Sequence, residues 1–250
     1  MVRLVDTDLE RPQLTAAIDE ALLRSRMAGL SGDTVHLYRR RPPSVSIGYF
    51  QSAAEVADLE ACRADGVPVV RRASAGGAIY TDERQLVYAM VHDPPSHLGA
   101  QEGLDVACDA IVMALGRLGV PDARREGAND VVVGDRKVSG SAQVIRRRTH
   151  MVHGTVLVDV DRSAMVRYLR AGKVKEMERG HETPADRVTT LAEVMGAPPS
   201  MDTVKTVLAE ELARALGGEV EPGRLTDWEL AEATRLEAER YSADEWNLRR

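Results

Sequence analysis

The sequence predicts an α+β fold, from three observations. Segments with strand character crowd the middle of the chain, and segments with helical periodicity hold its two ends. No regular strand–helix–strand alternation connects them, which disfavours a doubly wound parallel sheet.

The elements follow in chain order. Leu14–Met27 reads as a helix, because Leu14, Ile18, Leu22 and Leu23 recur at helical spacing and Thr15 offers a cap. VHLYRR (35–40) and SVSIGYF (44–50) read as strands around the Pro42-Pro43 turn, and 54–64 as a short helix. VPVVRRAS (67–74) is a strand running into a Gly76-Gly77 loop, and QLVYAMVH (85–92) is another strand. Residues 103–118 form the clearest amphipathic helix, with Leu104, Ala107, Cys108, Ile111, Val112 and Leu115 on one stripe and Gly119 as its stop. Three β-rich pieces follow, DVVVGDRKVSG, SAQVIRR and HMVHGTVLVDVD. From about residue 162 the chain turns mainly helical, over 163–169, 203–216 and 226–241.

Composition narrows the function. A chain of 250 residues with 44% hydrophobic and 29% charged residues can bury a sizeable core, which excludes disorder as its main state. A net charge of −6 argues against a dedicated duplex nucleic-acid binder. Two cysteines cannot build a disulfide framework, and no apolar run is long enough to span a membrane, so a soluble cytoplasmic protein is expected. The opening MVRLVDTDLERPQ turns acidic too early for a signal peptide. Within this acidic chain, residues 123–153 form a basic island suited to an anionic small molecule or an acidic partner surface.

Several chemistries are missing. There is no GxxxxGK[ST] loop, no strand–GxGxxG–helix, no HExxH and no GxSxG. His150 and His153 are three apart on a strand, which puts them on opposite faces and makes joint metal ligation improbable. Three segments remain. In the first, Arg71 and Arg72 end a strand before small residues, Ser74, Ala75, Gly76, Gly77 and Ala78, that let backbone N–H groups approach an anion. In the second, Lys137 follows a Gly134-Asp135 hairpin and alternates with Ser139 and Ser141. It reads equally as a pocket lysine and as a solvent-facing edge lysine. The third is His153-Gly154-Thr155 at the entry to a buried strand, where a structural histidine is the better reading.

Taken in this order, the three segments resemble the lipoate–protein ligase family, within the biotin/lipoate ligase superfamily. RRASAGGAIYTD (71–82) is similar to the family's RRxSGGGAVxHD loop, NDVVVGDRKVSGSAQ (129–143) to its Asn-Asp…Lys-[IV]-SGSA segment, and HGTVLV (153–158) to its HGT-[LV]-L. VSIGYFQ (45–51) and the terminal DEWN (244–247) fit the same pattern, so the resemblance spans nearly the whole chain. Ala75 replaces the first glycine of the triple, and Thr81 replaces the histidine before Asp82.

The resemblance implies one catalytic domain over 1–250, built on central mixed or antiparallel sheets flanked by helices. It also implies that the family's accessory C-terminal domain is absent and supplied by a separate subunit. The implied reaction activates lipoate with ATP and Mg²⁺ to lipoyl-AMP, then transfers the lipoyl group to a lysine of an apo lipoyl domain. That carrier would be of the glycine-cleavage H-protein or 2-oxoacid dehydrogenase E2 type. By similarity Lys137 is catalytic, stabilising charge on the lipoyl carbonyl and the α-phosphate. Arg72, Ser74, Gly76, Gly77, Ala78, Ile79, Tyr80, Asn129, Asp130, Ser139, His153, Gly154 and Thr155 would bind the nucleotide or adenylate. No dedicated metal ligands, nucleic acid or membrane are implied.

Three alternatives compete. An octanoyl- or lipoyl-transferase of the superfamily takes its acyl group from a carrier through a cysteine thioester. Here the stretch before Lys137 that would carry the cysteine, 123–128, has none, and Cys62 and Cys108 read as packing residues. A biotin–protein ligase would show a GRGR-like loop, which is missing. A non-catalytic lipoyl-binding protein is the reading from a different class, and intact Arg72 and Lys137 argue against it.

Overall fold

The computed structural model describes residues 1–94, 99–170 and 183–249. Eleven strands among these residues form two sheets: β1 (Val2–Glu10), β2 (Thr34–Arg40), β3 (Ser44–Ile47), β4 (Val69–Arg71), β5 (Ile79–Thr81), β6 (Leu86–His92), β7 (Arg124–Glu126), β8 (Asp130–Val133), β9 (Arg136–Arg146), β10 (Thr149–Val156) and β11 (Val220–Gly223). The larger sheet runs β11-β1-β2-β6-β10-β9-β8-β7, and the smaller one β4-β3-β5. Both are mixed. β1 pairs parallel with β2 and β11, β3 pairs parallel with β4, and every other pairing is antiparallel.

Helices cover both faces of the large sheet. On one face α4 (Ala100–Arg117) and the helix Met201–Ala215 bury Ile111, Leu115, Leu208 and Leu212 against Leu37, Leu86, Tyr88 and Met90. On the other, α1 (Pro12–Met27) and the helix Asp227–Leu236 bury Ile18, Leu22 and Leu236 with Val91, Val144 and Met151. The small sheet has its own core, where Val45, Ile47 and Tyr80 meet Cys62, Met165 and Tyr168 from the short helices α3 (Leu59–Ala64) and α5 (Arg162–Tyr168). The α+β architecture with helix-flanked mixed sheets is therefore present as expected.

Local departures have local causes. The expected 54–64 helix is two helices, α2 (Ala53–Val56) and α3, because the Asp58 side chain accepts from the Ala61 N–H and starts α3 afresh. Thr15 does not cap α1. The helix begins at Pro12, and the Thr15 hydroxyl donates to the Pro12 carbonyl. The 226–241 helix closes in a π-turn over Glu237–Tyr241. β9 runs unbroken through the sequence read as two pieces. β1 and β11 escaped the sequence reading because they pair only with distant segments. Asp6 and Asp8, which spoil the strand pattern of β1, form ion pairs with Lys205. Residues 171–182, within the half expected to be mainly helical, lie outside the described residues. Among the described residues no helix is long and apolar enough to cross a membrane.

Candidate active site

Alternation along the strands sorts their side chains. In register across the sheet, Tyr38 of β2 pairs with Val87 of β6, Val87 with Thr155 of β10, and Thr155 with Gly140 of β9. The loop between β4 and β5 lies over this row, and together they enclose a cavity of about 620 Å³. Its wall includes Asp19, Tyr38, Arg40, Arg72, Lys137 and His153 among apolar Ala16, Val87, Ala142 and Met151. The volume and the mixed lining suit a small-molecule chain with a few fixed polar contacts.

Asp19 organises the wall. It projects from α1, is 3% exposed, and accepts from His36 Nδ1 (2.9 Å), the Tyr38 hydroxyl (2.9 Å) and His153 Nδ1 (3.2 Å). Burial pushes its carboxyl upward, but the hydrogen bonds from His153 and His36 outweigh burial and hold it well below the usual carboxylate range. An ionised carboxylate only accepts, so both histidines present Nδ1–H to it. On its other side His153 Nε2 shares a hydrogen bond with the Ser74 hydroxyl, 2.5 Å away, and Ser74 Oγ accepts from Arg72 Nε at 3.1 Å. Burial and the neighbouring Asp19 charge both push the Tyr38 phenol up, which keeps it a donor.

The order Ser74–His153–Asp19 is that of a nucleophilic relay. Ser74 is wholly buried and is not part of the cavity wall, so the relay tethers the covering loop to α1 and presents no nucleophile to the cavity.

The two adjacent arginines divide the structural work. Arg71 is fully buried and donates to the carbonyls of Gly48, Tyr49, Gln51, Trp246 and Asn247. Its own backbone N–H and carbonyl bond Asn247 Oδ1 and Trp246 Nε1, which accounts for the terminal Trp-Asn pair. Arg72 donates through Nη2 to the carbonyls of Ala75 (2.8 Å) and Gly77 (2.9 Å), and through Nη1 to Ser46. Burial, then repulsion from Arg40, lowers its guanidinium to about 10. Arg72 thus braces the loop from within, and most of its donors are taken up by loop carbonyls and Ser74. Gly76 makes the brace possible. Its φ is +102°, and a Cβ there would lie 2.7 Å from Arg72 Nη2.

At the other end of the row Lys137 Nζ lies 2.6 Å from Asp130 Oδ1, with the lysine side chain 29% exposed. Gly140 leaves the space in which the lysine chain lies. Asn129 holds β9 beneath, with Nδ2 donating to the Ser141 carbonyl at 2.6 Å. Elsewhere in the basic island Arg125 pairs with Asp105 and Asp109, Arg136 with Glu193, and Arg148 with Asp93 at the surface.

Arg72, Gly76, Gly77, Ala78, Ile79, Asn129, Asp130, Lys137, His153, Gly154 and Thr155 therefore converge on one cavity, as their motifs suggested. Tyr80 and Ser139 do not line it. Tyr80 points to the opposite side of β5 and stacks on Tyr168, with ring centroids 5.9 Å apart. Ser139 is buried in β9. His150 lies on the α4 side of β10, its ring 5.8 Å from that of His92, away from His153 as the spacing required. Cys62 and Cys108 are both buried, and burial pushes both thiols up, Cys62 to about 11. Asp19, Tyr38, Arg40 and Arg187 were missed. The only available signal for Asp19 was a carboxylate within the apolar stripe of a helix.

Comparison with known proteins revises the activity. The octanoyltransferase LipM of Kyrpidia tusciae is 34% identical over 274 aligned positions, covering 99% of this chain and 98% of that protein. The octanoyltransferase LipM of Symbiobacterium thermophilum is also 34% identical, over 270 positions, with the same coverage of each. A crystal structure of lipoate-protein ligase A bound with ATP superposes with a TM-score of 0.87 at 26% identity, covering 98% of each chain. These octanoyltransferases match 99% of the chain, whereas a putative lipoate-protein ligase A of Aeropyrum pernix, also 34% identical, matches 85% of it and is itself covered to 79%. This overturns ATP-dependent lipoate ligation as the expected activity. The resemblance in motifs and fold stands, because a model of the lipoyl protein ligase A/B catalytic domain matches residues 11–213. With four-fifths of its length matched by that model, the chain belongs to the lipoyl protein ligase A/B catalytic-domain family.

Proposed function

We propose that the protein is an acyltransferase that moves an octanoyl-type chain from a carrier thioester to a lysine of an apo lipoyl domain. The observation that carries this reading is Lys137, an ammonium at one end of a cavity whose wall mixes apolar and polar side chains. The full-length likeness to octanoyltransferases supports it. The whole chain acts as one catalytic unit, and no adenylating step remains for an accessory subunit to serve.

The chemistry follows from the residues present. The neutral amine of the acceptor lysine attacks the thioester carbonyl, and negative charge develops on its oxygen. Lys137 stabilises that charge, and removing such a donor typically costs about 10²- to 10³-fold in rate. Collapse forms the C–N bond and breaks the C–S bond, and the proton lost by the amine leaves with the departing thiol. The chain's two cysteines are buried with raised thiols, so transfer is direct, without an acylated enzyme cysteine.

The test is intact mass spectrometry of an apo lipoyl domain incubated with octanoyl-carrier protein and enzyme. The expected result is an enzyme-dependent octanoyl mass gain that Lys137→Ala removes. A gain unaffected by Lys137→Ala sinks the role of Lys137, and an octanoyl adduct on the enzyme sinks direct transfer.

A further inference from the structure

Arg40 is not explained by the reaction above. It is 4% exposed, yet its guanidinium belongs to the cavity wall. Nε donates to Thr15 Oγ1 at 3.1 Å and Nη1 to Thr81 Oγ1 at 3.4 Å. The guanidinium also lies 5.6 Å from the centroid of the Tyr38 ring, and among the described residues no carboxylate lies within ion-pair distance of it. Asp19, one turn along α1 from Thr15, is already occupied by His36, Tyr38 and His153. Thr81, which stands in place of the family motif's histidine, is with Thr15 one of the two hydroxyls that hold Arg40. A second buried cation, Arg72, faces Arg40 and raises the local positive potential. Burying a guanidinium without an anion is costly, and its planar fork matches a carboxylate.

The position of Arg40 says what that carboxylate belongs to. β2 carries Arg40 and β9 carries Lys137, with β6 and β10 between them. Three strand spacings separate the two ends by about 14 Å. Both side chains line the one cavity, and a span of that order accommodates an extended eight-carbon chain. With its carbonyl at Lys137, such a chain would end at Arg40.

We propose that Arg40 determines substrate specificity by receiving a carboxylate at the far end of the acyl chain. The preferred acyl group is then an ω-carboxyacyl chain of octanoyl length, in place of plain octanoyl. The proposal rests on the acyl-transfer reading for the direction of the chain, and on the cavity alone for the anion site.

Two measurements separate these dependencies. In the first, octanoyl- and suberoyl-carrier proteins compete for an apo lipoyl domain, and the products are resolved by mass. The wild type should favour suberoyl by about 10- to 100-fold, the range of one charge-assisted hydrogen-bonded pair. Arg40→Leu should reverse that preference, and Arg40→Lys should retain part of it. In the second, calorimetry compares free suberate with octanoate, independently of turnover. Tighter suberate binding that Arg40→Leu abolishes upholds the anion site even if neither donor is turned over, in which case the acyl-transfer reading fails alone. Octanoyl transfer with no suberoyl preference and no tighter suberate binding overturns the Arg40 proposal and leaves that reading intact. Equal slowing of both donors by Arg40→Leu, together with a lowered Tm, makes Arg40 structural and overturns the proposal. Absence of both binding and turnover overturns both.

Discussion

The two faces of the large sheet are built from the same strands and do opposite jobs. Toward α4, the alternate residues Val35, Leu37, Leu86, Tyr88, Met90 and Val152 form a close-packed apolar layer. Toward α1, the intervening positions carry His36, Tyr38, Arg40 and His153, tied to Asp19 or left facing the cavity. One-residue alternation is all that separates a stable wall from a binding wall. The apolar face holds the strands rigid. The polar face relies on that rigidity to keep Asp19, His153 and Lys137 at fixed separations.

The largest effect is expected where the polar face is most tightly coupled. Asn at position 19 would turn donors toward at least one Nδ1–H, so Asp19→Asn should cost about 3–5 kcal/mol in urea unfolding. The same carboxylate sets an acid limb. Its folded pKa is depressed, so its contribution is fully present above the unfolded carboxylate value of 3.8 and is lost as pH falls below it. The wild-type Tm should therefore fall more steeply below pH 4 than that of Asp19→Asn, and equal slopes would break the comparison. Lys137→Ala should lower transfer about 10²- to 10³-fold while leaving Tm nearly unchanged, because its pair with Asp130 is partly exposed.

Gly154 joins the two faces. A Cβ there would meet the Gly140 carbonyl at 2.5 Å and the Tyr88 hydroxyl at 2.7 Å. Gly154→Ala should cost about 1–3 kcal/mol and slow transfer as well, since both layers must shift. A variant that lost stability with normal turnover would show the faces to be independent. The smallest effect is expected on the apolar side. Cys108→Ala should lose on the order of 1 kcal/mol of stability with transfer intact, and loss of transfer would revive a thiol mechanism.

What the sequence determined by itself was the local grammar and the motif set. Helical stripes placed α1 and α4, the Gly134-Asp135 turn placed the β8–β9 hairpin, and the odd His150–His153 spacing put the two rings on opposite faces. Three ordered motifs located most of one cavity wall. The motifs did not separate ligase from transferase, because both kinds of relative share this scaffold.

Only the tertiary structure decided which charged residue does which job. Arg71 and Arg72 look equivalent in sequence. Arg71 became a clamp because Asn247, 176 positions away, came to lie beside it, and Arg72 became a brace because Gly76 left it room. Asp19, Arg40 and Lys137 come from three distant segments, and their roles exist only once the strands align. Local pattern reports the conformation a residue adopts. The field and the partners around a buried charge come from chain segments far away in sequence, and no window of the sequence contains them.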